Sequence, residues 1–502
     1  MTLLLGVDIG TQGTKAALYT ETGERLAEAF EASRIRRAAG GEVDEDPERQ
    51  VASVTRTIAA CLAQAPAGSA SRVAAVAIDG QMAGVIGVGA DGRALTPYDS
   101  WLDTRCAAQI ERMAGLAGDR VVELTGCAPS YNHGPKILWW RDNHPDLFAR
   151  VVSFVQPGGY AAMRLCGLSG TDAYIDHTYL HFSGFADTRR SCWDTDLCRA
   201  FDLPIEKLPR IVAPHDVAGH ISIAAARDTG LRAGVPVVAG CGDTAASFLS
   251  CGATRAGICV DVAGTASVFA ATTNEFRPDV IHRTLACGRS AVPGLWHPYA
   301  YINGGGMNLE WFGRELAGEL PISLGQLDEA AAAVADPASC PLFIPHLAGR
   351  VSPSVPALRG AWVGLDWSHG RADLYRAVLE GVALEYGVYR DAVRELYPGF
   401  VTTEVRVTGG GAASALWNRI KASVLQAPVR SIRGAGGAPM GSAMIAGFGV
   451  GALPDLHQAA DRWVTVVPAA EPDEHEAKMY RRRVDAYRWL LDLLTEFHGV
   501  RS

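Results

Sequence analysis

The sequence predicts an α/β protein of two large domains closing around a nucleotide, and three observations predict it. The motif Gly6-Val7-Asp8-Ile9-Gly10-Thr11-Gln12-Gly13-Thr14-Lys15 near the start returns half a chain later as Cys259-Val260-Asp261-Val262-Ala263-Gly264-Thr265-Ala266-Ser267. Each copy is an apolar strand carrying an Asp, a Gly-Thr turn and a second apolar strand, a hairpin whose tip can hold phosphate oxygens on backbone N–H groups. The 502 residues exceed what one hydrophobic core supports, since cores stop growing near roughly 250 to 300 residues. Strand, hairpin, helix and strand also follow one another in the order of an α/β layer architecture.

Residues 3–7 and 16–19 read as the first strand pair, with further strands at 73–78 and 85–88, the last ending at the turn Ala90-Asp91-Gly92-Arg93. Between them, Asp46-Pro47 starts a helix, with Asp as the cap, Pro at the first helical position, and Val51, Val54, Ile58 and Leu62 at helical spacing. From 102 to 232 short helices mix with loops rich in Trp, Tyr and His, an insertion suited to a ligand-facing wall. A buried strand, 236–240, then turns through Cys241-Gly242-Asp243 into a helix over 244–249, and the domain boundary is placed just after it, giving domains 1–250 and 251–502. In the second domain, Leu374, Val378 and Val382 share a face of a helix over 372–393. A strand at 405–408 leads into Gly409-Gly410-Gly411 and another helix, and an amphipathic terminal helix over 474–497 folds back on the body.

Lys plus Arg is 46 against 54 Asp plus Glu, a net charge of −8. That balance, without basic runs, argues against nucleic acid or an anionic membrane as the main partner. The 11 cysteines show no C-x-x-C pair or regular spacing and read as reduced thiols. With no apolar stretch of about 20 residues and no basic leader before the first strand, the expected location is the cytoplasm. A homodimer is left open.

Asp8 is the first candidate for chemistry. A carboxylate inside an apolar strand is costly to bury unless it is paired or near a metal. With Thr11, Gln12, Gly13 and Thr14 at the tip and Lys15 adding positive charge, it suits a β/γ-phosphate and a hydrated magnesium ion. Asp243 is the second, at the carboxyl edge of a sheet, where ligands of open α/β folds bind. There it can deprotonate an attacking hydroxyl or simply cap its helix, two roles that read alike in sequence. Gly409-Gly410-Gly411 and Gly304-Gly305-Gly306 sit where a base or phosphate can approach the backbone. Trp101, Asp103 and Arg105 alternate around a turn, where they read equally as an aromatic platform and a carboxylate for a polyhydroxylated ligand or as a surface salt bridge beside a packed Trp. His177 and His181 have the four-residue spacing of a zinc pair on a helix, without a third ligand of clear type. No G-x-x-x-x-G-K-[ST] occurs, which excludes a P-loop.

Taken in order, these segments resemble the FGGY family of carbohydrate kinases. The resemblance is carried by Gly6-Val7-Asp8-Ile9-Gly10-Thr11, Asp44-Glu45-Asp46-Pro47, Gly80-Gln81-Met82, Trp101-Leu102-Asp103-Thr104-Arg105, Pro135-Lys136-Ile137-Leu138-Trp139, Gly240-Cys241-Gly242-Asp243, Ala263-Gly264-Thr265 and Thr408-Gly409-Gly410-Gly411-Ala412. It implies two ribonuclease-H-like (actin-like ATPase) domains around a cleft, a sugar-binding and catalytic one followed by a nucleotide-binding one, with ATP and Mg2+ between them. Asp243 would be the general base, sharing with Asp8 the contact to magnesium. Thr11 and Lys15 would face the phosphates, Gly264 and Thr265 the phosphate tail, and Gly306, Gly410 and Gly411 the adenosine. Gln81, Met82, Trp101 and Asp103 would meet the sugar.

Glycerol kinases of the family carry Arg-Glu directly after the equivalent of Gln81, and Met82-Ala83 here argues against glycerol. Xylulokinases carry Gln-Met-His; this chain keeps Gln81-Met82 and has Ala83 in place of the histidine. D-xylulose is therefore the leading substrate, followed by another ketose or a pentitol. A non-catalytic, sugar-responsive ATP-binding protein of the same fold is the rival from another class.

Overall fold

The computed structural model describes residues 2–316, 322–434 and 436–499. Two mixed sheets form the two lobes. In the first, the strands run in the order Val217–His220, Pro236–Val238, Val73–Gly80, Leu3–Ile9, Gly13–Thr20, Arg25–Ala32. In the second, Ala286–Arg289, Trp296–Ile302, Ser267–Ala271, Ile258–Ala263, Glu404–Thr408, Val429–Arg433 and Thr465–Ala470 lie side by side. Each sheet is built around a central strand paired antiparallel with its hairpin partner and parallel with a later strand, Val73–Gly80 in one lobe and Glu404–Thr408 in the other. This is the ribonuclease-H-like pattern, used twice.

Strand alternation decides what each hairpin offers, because successive side chains point to opposite faces of a sheet. Leu3, Leu5, Val7 and Ile9 share a core with Val54, Ile58 and Cys61 of the helix Pro47–Gln64. Leu4 faces the other way and shares a core with Ala75, Ala77 and Met444. By the same alternation Asp8 lies on the face of Leu4, and Ile9 with its cross-strand partner Thr14 lies on the face of the helix Pro47–Gln64.

Two helices cross between the sheets. Asp243–Ser250 follows the first sheet's strand Pro236–Val238, yet its Phe248 packs with Ile258, Val260, Ala270 and Tyr299 of the second sheet. Ala438–Gly449 follows the second sheet's strand Val429–Arg433, yet Met440, Ala443, Met444 and Ala446 pack on Leu4, Ala17, Ala75 and Ala77 of the first. The helices touch at Gly441, where a Cβ would stand 2.1 Å from the carbonyl oxygen of Ala246. Only glycine permits that approach. The lobes are thus joined through a pair of exchanged helices as well as through the chain itself.

The insertion forms a small apolar core of its own, with Phe154, Phe185, Phe201 and Trp140. The expected helix of the second lobe runs from Arg371 to Leu396 and is buried along most of its length. The terminal helix Glu474–Gly499 docks on it through Tyr480, which donates to Glu380 at 2.9 Å, and Tyr487, which donates to Glu385 at 2.7 Å. No helix among the described residues is long and apolar enough to cross a membrane. All 11 cysteines are free.

The two hairpins are not chemically equivalent. Asp261 is fully buried and held by Lys421 Nζ at 2.5 Å and by the Tyr386 hydroxyl at 2.8 Å. The second copy of the motif therefore carries a structural ion pair where the first carries an open carboxylate. Removing one partner of such a pair leaves an uncompensated buried charge, at a cost of about 3 to 5 kcal/mol. Lys421→Met should lower the unfolding free energy by about that amount, read from urea denaturation.

Candidate active site

Three carboxylates meet where the first sheet ends. Asp8 and Asp79 are register partners on the parallel strands Leu3–Ile9 and Val73–Gly80, and each carboxyl group is near enough to act on the other. Asp243 starts the crossing helix after Pro236–Val238, close enough for Asp8 to act on its charge. Backbone bonds draw the strand ends together: Gln81 N–H donates to Ile9 C=O at 3.1 Å and Gly80 N–H to Cys241 C=O at 3.3 Å. The Tyr179 hydroxyl donates to Gly80 C=O at 2.8 Å, and Gly242 N–H donates to Thr178 Oγ1 at 2.9 Å.

Burial and mutual repulsion set the electrostatics. Burial raises Asp8 to about 6, against the lowering effects of Asp79 and of Lys15. Asp79 is pushed well above the usual carboxylate range, first by burial and then by Asp8. Asp243 is raised to about 7 by burial, with Asp8 adding to it. Asp8 Oδ1 and Asp79 Oδ1 are buried without a hydrogen-bond partner. A hydrated magnesium ion prefers one or two carboxylates with the rest of its shell from water and phosphate, and Asp8 with Asp243 can supply that number.

Asp243 uses one oxygen to order its own helix, accepting from Thr244 N–H at 2.6 Å and Thr244 Oγ1 at 3.1 Å, both through Oδ1. The helix cap itself is Gly242. Met82 packs directly against Gly242, where a Cβ would stand 2.0 Å from its sulfur, and so lies beside Asp243. Ala83 is buried.

At the first hairpin tip, Gly10 and Gly13 close a turn on each other, and Ser33 anchors it by donating Oγ–H to Thr11 C=O at 2.6 Å and N–H to Gln12 C=O at 3.0 Å. Trp101, 40% exposed, donates its indole N–H to Thr11 Oγ1 at 2.9 Å, which joins the expected sugar platform to the expected phosphate tip. Lys15 stands opposite Asp8 and pairs with Glu28 at 3.1 Å. At the second tip, Gly306 N–H donates to Gly264 C=O at 2.9 Å and Met307 N–H to Thr265 C=O at 3.2 Å. Gly409, at φ +85°, approaches Ala263 and Gly264 closely enough that a Cβ would stand 2.7 Å from the Ala263 carbonyl oxygen. Gly264, Thr265, Gly306 and the glycine run are thus gathered at one end of the second sheet. Gly410 faces open space there, while Gly411 packs on the Trp417 ring.

The structure places Thr14 and Asp103 away from their expected contacts, and it does not form the zinc pair, which the sequence left without a third ligand. Thr14, expected at the phosphates, lies on the opposite face of its hairpin from Asp8 and lines a cavity against the helix Pro47–Gln64. Asp103, expected at the sugar, is 2% exposed and committed to its own loop: it accepts from Val43 N–H at 2.9 Å, Arg105 Nε at 2.8 Å and Arg105 N–H at 3.0 Å. His177 and His181 lie on a 3-10 helix, where four residues do not return to the same face, and His181 bonds Tyr299 at 2.8 Å. Among the described residues no group of three or more His, Cys, Asp or Glu side chains is arranged to hold a metal ion. Sequence reasoning missed Asp79 and Glu45, whose Oε1 accepts from Gln81 Nε2 at 3.2 Å. The signal for Asp79 was present as a second apolar strand ending in Ile78-Asp79-Gly80, parallel to Val7-Asp8-Ile9-Gly10.

The raised carboxylate values carry a stability cost with a definite sign. Between pH 4 and 7 the folded state holds protons on these groups that the unfolded chain has released, so stability falls as pH rises through that window. Asp243→Asn should therefore raise the Tm of the ligand-free protein at pH 8 and leave it unchanged near pH 4, measured by calorimetry.

Comparison with known proteins agrees with this geometry. The sequence model of the N-terminal domain of the FGGY family of carbohydrate kinases matches residues 3–250, and that of the C-terminal domain matches 259–450. The chain is 26% identical to a xylulose kinase of Bacillus subtilis (strain 168) over 493 residues, covering 97% of this chain and 96% of that one. It is 25% identical to a gluconokinase of the same organism, covering 95% and 93%. A crystal structure of xylulose kinase from Rhodospirillum rubrum superposes with a TM-score of 0.89 at 26% identity, covering 99% of this chain and 100% of that one. With both domain models matched in order along the chain, this protein belongs to the FGGY family of carbohydrate kinases.

Proposed function

We propose that the chain transfers the γ-phosphoryl group of ATP to a hydroxyl of a ketopentose, D-xylulose first, with Asp243 as the general base and Asp8 at the magnesium ion. The observation that carries this reading is Asp243 itself. One carboxylate oxygen is fixed by Thr244, the other makes no hydrogen bond among the described residues, and the group sits beside Asp8 at the sheet edge. A carboxylate raised to about 7 is close to ideal for accepting a hydroxyl proton at neutral pH.

The residues divide the work by position. Asp243 takes the proton of the attacking hydroxyl, while Met82 and Trp101 border the space that the sugar fills. Thr11 and the amides of the tip from Gly10 to Gly13 face the phosphates from one lobe, and Gly264, Thr265 and Gly410 face them and the adenosine from the other. Magnesium, when bound, neutralises phosphate charge next to Asp8. Closure of the lobes over the shared helix pair would exclude water and align the hydroxyl with the phosphoryl group. Gln81-Met82 supports a ketopentose, and Ala83 leaves room where a xylulokinase has an imidazole. The gluconokinase relative makes a sugar acid the first alternative.

A coupled ADP-release screen over pentuloses, hexuloses, pentitols and aldonates tests the substrate. D-xylulose should give the highest kcat/KM; ADP release indifferent to every sugar would favour a non-catalytic ATP-binding role. On the best substrate, Asp243→Asn should lower kcat by about 100-fold or more with nucleotide binding retained, and near-wild-type turnover would remove the base assignment. Because the base must be ionised, kcat/KM should fall as pH drops below about 7.

A further inference from the structure

Behind the first hairpin lies a cavity of about 380 Å³ between the strands and the helix Pro47–Gln64. It lies on the face of Ile9 and Thr14, opposite the face that carries Asp8. Its floor is polar and incompletely satisfied. Gln50 is 5% exposed and Ser53 8%, and neither the Gln50 amide, which lies beside the Glu45 carboxyl, nor the Ser53 hydroxyl has a well-formed hydrogen-bond partner. Buried polar groups are ordinarily paired, and these two line an opening large enough for a small metabolite.

The rim carries Arg34, Arg49 and Arg56 together with the carboxylates of Glu31 and Asp46. Arg56 is neutralised by Glu31 through two bonds, at 2.8 and 2.5 Å. Arg34 makes no ion pair within 4.0 Å among the described residues, and Arg49 reaches only the exposed Asp46 at 3.7 Å. Both guanidinium groups also line the adjoining cavity of about 530 Å³. Arg34, unpaired among the described residues, and Arg49, held only by its long exposed contact with Asp46, can take a phosphate by charge-assisted hydrogen bonds. A floor of amide, hydroxyl and carboxyl groups favours a ligand with several hydroxyls.

We propose that this cavity is a second ligand site for a small phosphorylated polyhydroxy compound, separate from the cleft. The phosphate lies between Arg34 and Arg49, and the hydroxyls reach Gln50, Ser53 and Glu45. Glu45 also holds Gln81, so the site adjoins the cleft through one shared carboxylate. The proposal stands on the cavity and does not depend on which sugar is phosphorylated.

Isothermal titration of the full chain with D-xylulose 5-phosphate, and separately with inorganic phosphate, tests it. Wild type should bind the sugar phosphate, and Arg34→Ala/Arg49→Ala should weaken that binding by roughly tenfold or more. Both arginines are exposed, so the fold should survive their loss. Ser53→Leu, which fills the cavity, should weaken the same binding, while Asp243→Asn, in the cleft, should leave the arginine-dependent component in place. Sugar-phosphate binding unchanged in the double arginine variant overturns the site. Inorganic phosphate binding as tightly as the sugar phosphate also overturns it, because the polar floor would then contribute nothing. Failure of the kinase reading would appear instead in the ADP-release screen, without moving these titrations.

Discussion

The arrangement depends on placing carboxylates side by side in a buried place. Asp8 and Asp79 end neighbouring parallel strands in register, and Asp243 begins the helix that follows the next strand. Without a cation they coexist by holding protons: burial lifts all three above their ordinary range, and the charge of Asp8 adds to the rise at Asp79 and Asp243. The site is therefore costly when empty, and a magnesium-nucleotide relieves that cost. Binding energy of this kind is available to organise the cleft before any chemistry takes place.

The exchanged helices connect that constraint to the rest of the molecule. Ser442, on the helix Ala438–Gly449, donates to Asp79 Oδ2 at 2.5 Å, so a residue from late in the chain holds a carboxylate of the first sheet. The same helix lies along Leu3–Ile9, where a Cβ on Gly6 would stand 1.8 Å from the Pro439 carbonyl oxygen. Its partner Asp243–Ser250 carries the candidate base at one end and packs Phe248 into the second sheet at the other. These helices join the lobes beside the site, and their N-terminal ends reach the carboxylates.

Much of this was legible in the sequence because its signals are local. A Gly-Thr turn between apolar strands, an Asp-Pro helix start and a glycine run after a strand need no tertiary information. Asp8 and Asp243 stand out since a charged residue in, or next to, a buried strand requires a reason. What escaped was set by partners far away in sequence. Asp261 looks like Asp8 until Lys421, 160 residues later, neutralises it. Asp103 reads equally as a ligand contact or as a salt bridge, and Arg105 with the distant Val43 amide decides for the latter. Thr14 is different, because the hairpin register alone puts it opposite Ile9 rather than Asp8. Asp79 was hidden by its position at the end of an apolar run, where the glycine and glutamine after it drew the attention.

Proton counting tests the shared-carboxylate constraint most directly. Titrating the protein at pH 6.5 with the magnesium complex of a non-hydrolysable ATP analogue, in buffers of different ionisation enthalpy, gives the number of protons exchanged on binding. If the carboxyl groups hold protons until a cation arrives, wild type should release about one proton, and Asp8→Asn should release markedly less. Binding with no proton release in the wild type would contradict the account.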